Sequence, residues 1–206
     1  MRTAAQSADT AFGRPILIHS TPTHRYNSNV STVDTIRRLR GLARDFYRDP
    51  SVVHATLAAC SQLGPGSSQR DVACAIFDWV RGSIHFIEDE QLLYYDLGVP
   101  FSEIDKELII SPPVLLTMPQ PMGDCDCFSL LIACMCLCAG LYCYYVTVCV
   151  DRNEPGRPSH IYNQVYLADE NRYMILDAGN RVPHAVAGWE GGGQDGVYCK
   201  QVWSVL

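Results

Sequence analysis

The stretch that decides the fold is PMGDCDCFSLLIACMCLCAGLYCYYVTVCV, residues 121–150, in which a short polar start leads into a long apolar run. Gly140 and the tyrosines after it divide this run into a half with helical character and a half rich in β-prone residues. Each half is too short to cross a bilayer. We therefore expect a buried helix over about residues 126–139, ended by Gly140 and followed by a core strand.

The composition limits the classes of protein to which the chain can belong. Its 206 residues are 48% hydrophobic and 18% charged, which provides enough apolar material for one substantial core. The net charge of -6 and the absence of a Lys or Arg run argue against nucleic acid and against a membrane surface as partners. The first 19 residues contain no apolar segment of the length that a secretory signal needs, so we expect cytoplasmic synthesis.

The chain has ten cysteines, and two kinds of explanation compete for them. Small secreted chains use cysteines as a disulfide framework, whereas a longer chain in a reducing compartment packs them as small hydrophobic side chains. We expect the second. No metal and no cofactor are predicted, because the paired C-x-x-C knuckles of zinc ribbons are absent. The cysteines predicted to be buried and unbonded are Cys134, Cys136, Cys138, Cys143 and Cys149.

Helical periodicity precedes the deciding stretch, and β-prone runs follow it. Three segments before residue 84 predict helices, the first with Ser31 or Thr32 as its N-cap and the second beginning near Pro50. Residues 85–123 then form a long, proline-punctuated connection of a kind that is usually functional or a lid. Strands are predicted in LYCYYVTVCV, SHIYNQVYLA, RYMILDA and VYCKQVWSV. Helices followed by a set of antiparallel strands indicate an α+β fold.

Three residues in this arrangement have the chemistry of nucleophilic acyl transfer. Cys125 lies at the start of the buried helix, where unpaired N–H groups and the positive end of the helix dipole favour a thiolate. His160 opens the second strand after that helix, and Asp177 ends the third. A nucleophile, a base that activates it and an acid that orients the imidazole are the parts that the reaction needs. Each residue taken alone also fits an ordinary packing, strand-end or turn position.

With these residues in that order, the chain resembles the transglutaminase-like superfamily of papain-fold cysteine enzymes over roughly residues 70–180. IFDWVRGSIHFIEDE is similar to the helix before that family's core, and GDCDCFSLLIACMCLCAGL to its nucleophile helix. SHIYNQVYL and RYMILDAGN are similar to its histidine and aspartate strands. The resemblance implies a papain-like core, in which the nucleophile helix packs on an antiparallel sheet. It implies Cys125 as nucleophile, His160 as base and Asp177 as the residue that orients the base.

The resemblance also divides the chain into two parts. We expect residues 1–69 to be an N-terminal arm and helices that pack on the core, and residues 70–206 to be the transglutaminase-like catalytic domain. No internal repeat or low-complexity linker marks a second independent domain, so the two parts should form one compact unit.

One departure from the family pattern leaves two candidate thiols. Many relatives carry a second acid where this chain has Cys127, which lies about 200° from Cys125 around an α-helix, so both cannot face His160. We favour Cys125, because it occupies the family's cysteine position. Its backbone N–H would belong to the oxyanion hole. Gln120 is a candidate side-chain donor to that hole, although a glutamine in a proline-rich loop is more often solvated.

The polar residues around Cys125 have expected roles of their own. Gly123 would let the chain turn tightly and let a substrate approach the backbone. Asp124 or Asp126 would serve the start of the helix, although the negative charge of both opposes formation of a thiolate between them. The dipole of the helix and a protonated His160 would then have to stabilise the thiolate.

The three candidate residues define acyl transfer through a thioester without defining the substrate. They serve a peptidase, an amidase or a glutamine–lysine crosslinking enzyme equally well. Hydrolysis of a protein or peptide is the default, because crosslinking needs a site that excludes water and recruits an amine. No D-x-D-x-D-G loop is present that would indicate a calcium requirement.

A non-enzymatic protein is the competing class. Relatives with the G-D-C-D form are frequent in phage genomes, so a location in the virion and other virion proteins as partners are expected by analogy. A structural virion or tail component could retain the fold with the three residues incidental. Reactivity of Cys125 with a thiol electrophile at mildly acidic pH would separate the enzyme from the structural protein.

Overall fold

The structure is a computed structural model that describes residues 21–22, 28–89, 91–92, 106–180, 182, 185–189 and 197–206. Residues 1–20 of the predicted N-terminal arm lie outside the described residues. So do residues 190–196, and residues 90 and 93–105 of the predicted connection or lid.

Helices on one side of a four-stranded antiparallel sheet make up the architecture. The helices are α1 (Ser28–Phe46), α2 (Pro50–Ala59), α3 (Gln69–Ser83), α4 (Pro112–Thr117) and α5 (Cys125–Cys138). The strands are β1 (Thr21–Pro22), β2 (His85–Phe86), β3 (Lys106–Glu107), β4 (Met122–Gly123), β5 (Tyr142–Cys149), β6 (His160–Leu167), β7 (Arg172–Leu176) and β8 (Cys199–Ser204). The main sheet has the order β7-β6-β5-β8, and every neighbouring pair in it is antiparallel. The predicted α+β class and the four predicted strands are confirmed.

Helix α5 is the centre of the core. It is apolar on all sides, so it is buried all round, as expected for a helix with structure on every face. Strands β5 and β6 contact it on one side, and α1, α2 and α3 contact it elsewhere. It ends where the sequence predicts, because Gly140 has a φ of 77° and the next residue's N–H donates to the Cys136 carbonyl at 2.8 Å. None of the described helices is both long and apolar enough to span a membrane.

The N-terminal helices begin at positions with clear local causes. Helix α3 starts with a capping box, in which Ser68 and Asp71 each bond to the other's backbone N–H. The Asp49 side chain accepts from the Ser51 N–H and caps α2, with Pro50 as the first helical residue, as predicted. The prediction for α1 is wrong at its start: the helix begins at Ser28, before both expected caps. Helix starts are hard to place from sequence alone, because several serine, threonine and asparagine residues in a row can each serve as a cap.

The connection before Cys125 contains more regular structure than the sequence indicated. Ser111-Pro112-Pro113 looked like loop punctuation, yet α4 begins there, because proline fits the first turn of a helix. Strand β2 pairs in parallel with β4, so that Phe86 lies opposite Gly123. This short pairing holds the segment that enters α5, and it therefore sets the position of the first residue of that helix.

The cysteines divide into thiols and one disulfide. Cys134, Cys136 and Cys143 are buried thiols, as predicted, and Cys138 is only partly buried. The prediction that Cys149 is unbonded is wrong, because it forms a disulfide with its antiparallel partner Cys199, at a Cα–Cα distance of 4.9 Å. The two are 50 residues apart in the chain, so only the pairing of β5 with β8 brings them together.

Candidate active site

Cys125 is the first residue of α5, and its side chain is partly exposed. The Asp124 carboxylate caps the helix beside it by accepting from the N–H groups of Asp126, at 3.2 Å, and Cys127, at 3.5 Å. Of the two acids expected to serve the helix start, Asp124 does so, while Asp126 is buried. The thiol thus lies at a capped helix N-terminus, the location that favours a thiolate.

The loop that follows β7 lies directly against Cys125. A Cβ atom added at Gly179 would lie 3.3 Å from the Cys125 Cα and 3.5 Å from its Cβ. It would also lie 3.7 Å from a ring carbon of Phe86. The absence of a side chain at Gly179 therefore lets the loop after Asp177 approach the start of α5 closely.

His160 and Asp177 form a hydrogen bond at the same end of the sheet. The Nε2 atom of His160 lies 2.9 Å and 3.0 Å from the two carboxylate oxygens of Asp177. The His160 side chain is 18% exposed and that of Asp177 is 3% exposed, so the pair is largely screened from water. An ionised carboxylate can only accept hydrogen bonds, so in a neutral imidazole Nε2–H would be the donor and Nδ1 would carry the lone pair.

Cys127, the second candidate thiol, has different surroundings. Its Sγ accepts from the Ile110 N–H at 3.4 Å and donates to the Leu108 carbonyl at 3.5 Å. Burial raises the pKa of this thiol well above its ordinary value, and the nearby carboxylates of Asp126 and Asp124 raise it further. Cys127 is therefore a structural thiol that ties α5 to the segment after β3.

Gly123 makes room for Cys127. A Cβ atom added at Gly123 would lie 2.7 Å from the Cys127 Cβ and 3.1 Å from its Sγ, which is closer than packed atoms approach. The observed reason for a glycine in the G-D-C motif is therefore this contact inside the fold. Its expected role in admitting a substrate stays a prediction.

Two residues that sequence reasoning missed extend the polar network beyond Asp177. The Asn180 Nδ2 donates to the Asp177 carboxylate at 3.3 Å, and the Asn180 Oδ1 accepts from the Val182 N–H at 3.0 Å. Arg81, in the last turn of α3, donates to the carbonyls of Asn180, at 2.9 Å, and Val182, at 2.7 Å. The asparagine after D-A-G was a weak sequence signal, and Arg81 gave none, because it lies 99 residues before Asn180.

The remaining candidates are Gln120 and a group of potential metal ligands. Gln120 is exposed, and its role as an oxyanion donor stays a prediction. Among the described residues, one group of potential metal ligands has its atoms within 4.8 Å of one another, namely Asp124, Asp126 and Cys127. Asp124 already caps α5 and Cys127 already bonds to the backbone of two residues, so both are engaged within the protein.

Comparisons with known proteins give likenesses in structure. No protein-family model matches the chain, and no curated protein matches it. A proposed cysteine protease from Cytophaga hutchinsonii is 17% identical with a TM-score of 0.43, and the match covers 74% of this chain and 47% of that one. A protein named a TGase is 16% identical with a TM-score of 0.39, covering 79% and 36%. A proposed protease from Parabacteroides distasonis is 9% identical with a TM-score of 0.38, covering 68% and 26%.

The chain spans less than half the length of each of these three proteins. Their names agree with the resemblance to transglutaminase-like and papain-like enzymes that the motifs indicated. At TM-scores below 0.5 the likenesses decide nothing about the activity of this chain.

Proposed function

We propose that this protein is a cysteine-dependent acyl-transfer enzyme that hydrolyses a peptide or amide bond. Cys125 is the nucleophile, His160 the general base and Asp177 the residue that holds the imidazole. The observation that carries the proposal is the His160–Asp177 hydrogen bond, screened from water and next to a loop that touches Cys125. A histidine oriented by a buried carboxylate near a helix-start thiol is the arrangement that nucleophilic catalysis requires.

The reaction follows from the roles of these atoms. Nδ1 of His160 takes the proton of the Cys125 thiol, and the sulfur attacks the carbonyl carbon of the substrate. The tetrahedral oxyanion accepts from the Cys125 N–H, with Gln120 as a second proposed donor. The imidazolium then protonates the leaving nitrogen, the C–N bond breaks and a thioester remains. Water, deprotonated by His160, attacks the thioester and releases a carboxylic acid and the thiol.

The proposed substrate class is a protein or peptide, whose amide carbonyls the thioester route can attack. An amine in place of water in the second step would turn hydrolysis into crosslinking. Hydrolysis is the proposed reaction, because water needs no dedicated binding site.

Acetylation by p-nitrophenyl acetate tests the proposal. We expect an acetyl group on Cys125 in the intact mass spectrum, formed rapidly and lost again by hydrolysis as p-nitrophenol accumulates. Cys125→Ser should abolish the signal, and His160→Ala should slow it by about 100-fold or more, the usual contribution of a general base. Cys127→Ser is the matched control and should behave like the parent protein.

Slow acetylation that is independent of His160 would favour the structural alternative, in which the three residues have no chemical role. Adding a primary amine such as glycinamide distinguishes the two enzyme classes. A hydrolase releases mainly acetate, whereas a crosslinking enzyme releases mainly the acetylated amine.

A further inference from the structure

We propose that Asn180 and Arg81 are positioning residues that hold Asp177 in the orientation in which it can orient His160. This inference rests on the proposed function and adds two residues to it. The evidence is a connected set of hydrogen bonds that runs from Arg81 of α3 through Asn180 and Val182 to the Asp177 carboxylate, at the turn formed by residues 177–180.

The Asn180 amide is fixed at both of its ends. Its Nδ2 donates to Asp177 Oδ2, and its Oδ1 accepts from the Val182 N–H. A flipped amide would direct an oxygen at the carboxylate and an NH₂ group at another N–H, so both bonds select one orientation. The backbone N–H of Asn180 also donates to the Asp177 carbonyl at 3.3 Å, which closes the turn.

Arg81 of α3 bonds to the backbone of the turn. Its guanidinium donates to the carbonyls of Asn180 and Val182, and Val182 also supplies the N–H that holds one end of the Asn180 amide. A planar guanidinium fork suits two acceptors a fixed distance apart, which the single ammonium group of lysine does not. The guanidinium also lies 5.9 Å from the centroid of the Phe77 ring, which helps to set its position on α3.

Asp177 has a physical need for these partners. Its carboxylate is buried, and a buried carboxylate must accept hydrogen bonds to remain in place. His160 and Asn180 approach it from two directions, so the loss of Asn180 would leave the carboxylate free to rotate away from the imidazole. The effect of Asn180 and Arg81 on Cys125 should therefore pass through Asp177.

The rate at which iodoacetamide alkylates Cys125 at pH 6, followed by peptide mass spectrometry, is the measurement. We expect Asn180→Ala and Arg81→Gln each to slow alkylation about threefold to tenfold, the range of one lost hydrogen bond. In an Asp177→Ala background, neither change should slow it further. Arg81→Lys should recover only part of the loss, since lysine keeps the charge but not the fork.

The Asn180→Asp variant tests whether the hydrogen bond that Asn180 donates or the shape of its side chain is what matters. Aspartate has nearly the shape of asparagine but replaces the donor with a second carboxylate, so it should slow alkylation more than alanine does. A role that depends on shape alone gives the opposite order. Arg70→Gln is the matched control, because Arg70 is also on α3 and forms an ion pair, with Glu170, away from this turn. It should leave alkylation unchanged.

The outcomes distinguish this inference from the proposed function. If alkylation of the parent protein does not depend on His160, the proposed function fails and this inference fails with it. If it does depend on His160 and Asp177, but Asn180→Ala and Arg81→Gln slow it equally with and without Asp177, only this inference is overturned. Melting temperatures of all variants identify any that fail to fold, and Arg81→Lys, which keeps the charge, and Asn180→Asp, which keeps the shape, then supply the comparison.

Discussion

Helix α5 carries cysteines toward both ends, and their surroundings differ. At the N-terminal end, Cys125 is partly exposed beside an aspartate cap and the loop after β7, whose Asp177 bonds to His160 of β6. Toward the C-terminal end, Cys134 and Cys136 are completely buried, and Cys143 of β5 packs with them. The residue type is the same, so the difference comes from position along the helix and from neighbours.

The pKa values of the thiols toward the C-terminal end are raised, which adds to the difference between the two ends. Burial raises the pKa of Cys134, and the thiols of Cys143 and Cys138 raise it further. A hydrogen bond with Cys143 raises the pKa of Cys136 well above its ordinary value, and burial adds to this. Thiols of this kind stay protonated and serve packing, while the helix dipole favours a thiolate only at the N-terminus. The number of cysteines in the chain therefore says little about their reactivity, which depends on where each cysteine lies.

The largest expected effect is a difference in alkylation between the two ends. An ordinary thiol with a pKa near 8.5 is about 0.3% ionised at pH 6, so a fully ionised Cys125 should react about 300-fold faster than such a thiol, and the buried Cys134 should react more slowly still. Iodoacetamide labelling of the native protein, mapped by peptide mass spectrometry, measures the ratio of Cys125 to Cys134. Labelling in urea is the control and should make the two cysteines equal. Equal labelling in the native protein would contradict the comparison.

The next effect separates the contributions of His160 and Asp177 to the reactivity of Cys125. His160→Ala should lower the alkylation rate of Cys125 at pH 6 by about 100-fold, because the imidazolium that stabilises the thiolate is lost. Asp177→Ala should lower it less, about tenfold, because the acid orients the imidazole without carrying the transferred proton. Both variants should leave the labelling of Cys134 unchanged. A larger loss for Asp177→Ala than for His160→Ala would reverse the assigned roles.

Two glycine substitutions should separate stability from reactivity. Gly123→Ala places a Cβ 2.7 Å from that of Cys127, so it should lower the free energy of unfolding, by about 1 to 3 kcal/mol for such overpacking. Gly179→Ala meets Cys125 at 3.3 Å and should shift the thiol, which slows its alkylation with a smaller cost in stability. Urea denaturation and alkylation at pH 6 measure the two effects. If Gly123→Ala changed alkylation alone, the structural role of Cys127 would be wrong.

The smallest effect is a pH dependence from the buried thiols. Burial raises the folded pKa of Cys134 above its unfolded value of about 8.5, so the folded protein retains a proton that the unfolded chain releases. Its contribution to stability is fully present below about pH 8.5 and is lost as the pH rises toward the folded pKa. Each such thiol should lower the free energy of unfolding by up to about 1.4 kcal/mol per pH unit in this range.

Cys134→Ala should reduce that slope by one thiol's share, measured by urea denaturation between pH 8 and pH 10. Met135→Leu is the matched control, because it changes a buried neighbour that does not titrate. An unchanged slope in Cys134→Ala would mean that this thiol is ionised in the folded protein.

Much of the fold was predictable because local patterns produced it. Continuous apolar sequence predicts the buried helix, alternating β-prone residues predict the four strands, and Gly140 predicts the helix end. Helix α4 was missed, because proline pairs indicate a loop and a first helical turn equally well. The pairing of β2 with β4 was missed because two residues per strand leave no periodicity.

The candidate site was predictable to the extent that its residues lie in recognisable motifs. Cys125, His160 and Asp177 each occupy a motif position, and the structure joins the last two by a hydrogen bond. Asn180 and Arg81 were not predictable, because their contacts depend on how a turn meets a helix 99 residues earlier. The disulfide of Cys149 was missed for a similar reason, since strand register alone makes Cys199 its partner.

The sequence by itself determined the order of helices and strands, the buried helix and the three residue types that the proposed chemistry needs. Those properties follow from interactions between residues a few positions apart, such as periodicity, caps and turns. Only the tertiary structure decided which thiol is exposed and which is buried, since Cys125 and Cys127 are two residues apart with almost the same local sequence. Burial and hydrogen-bond partners come from distant segments, here residues 108–110 for one thiol and the loop after Asp177 for the other.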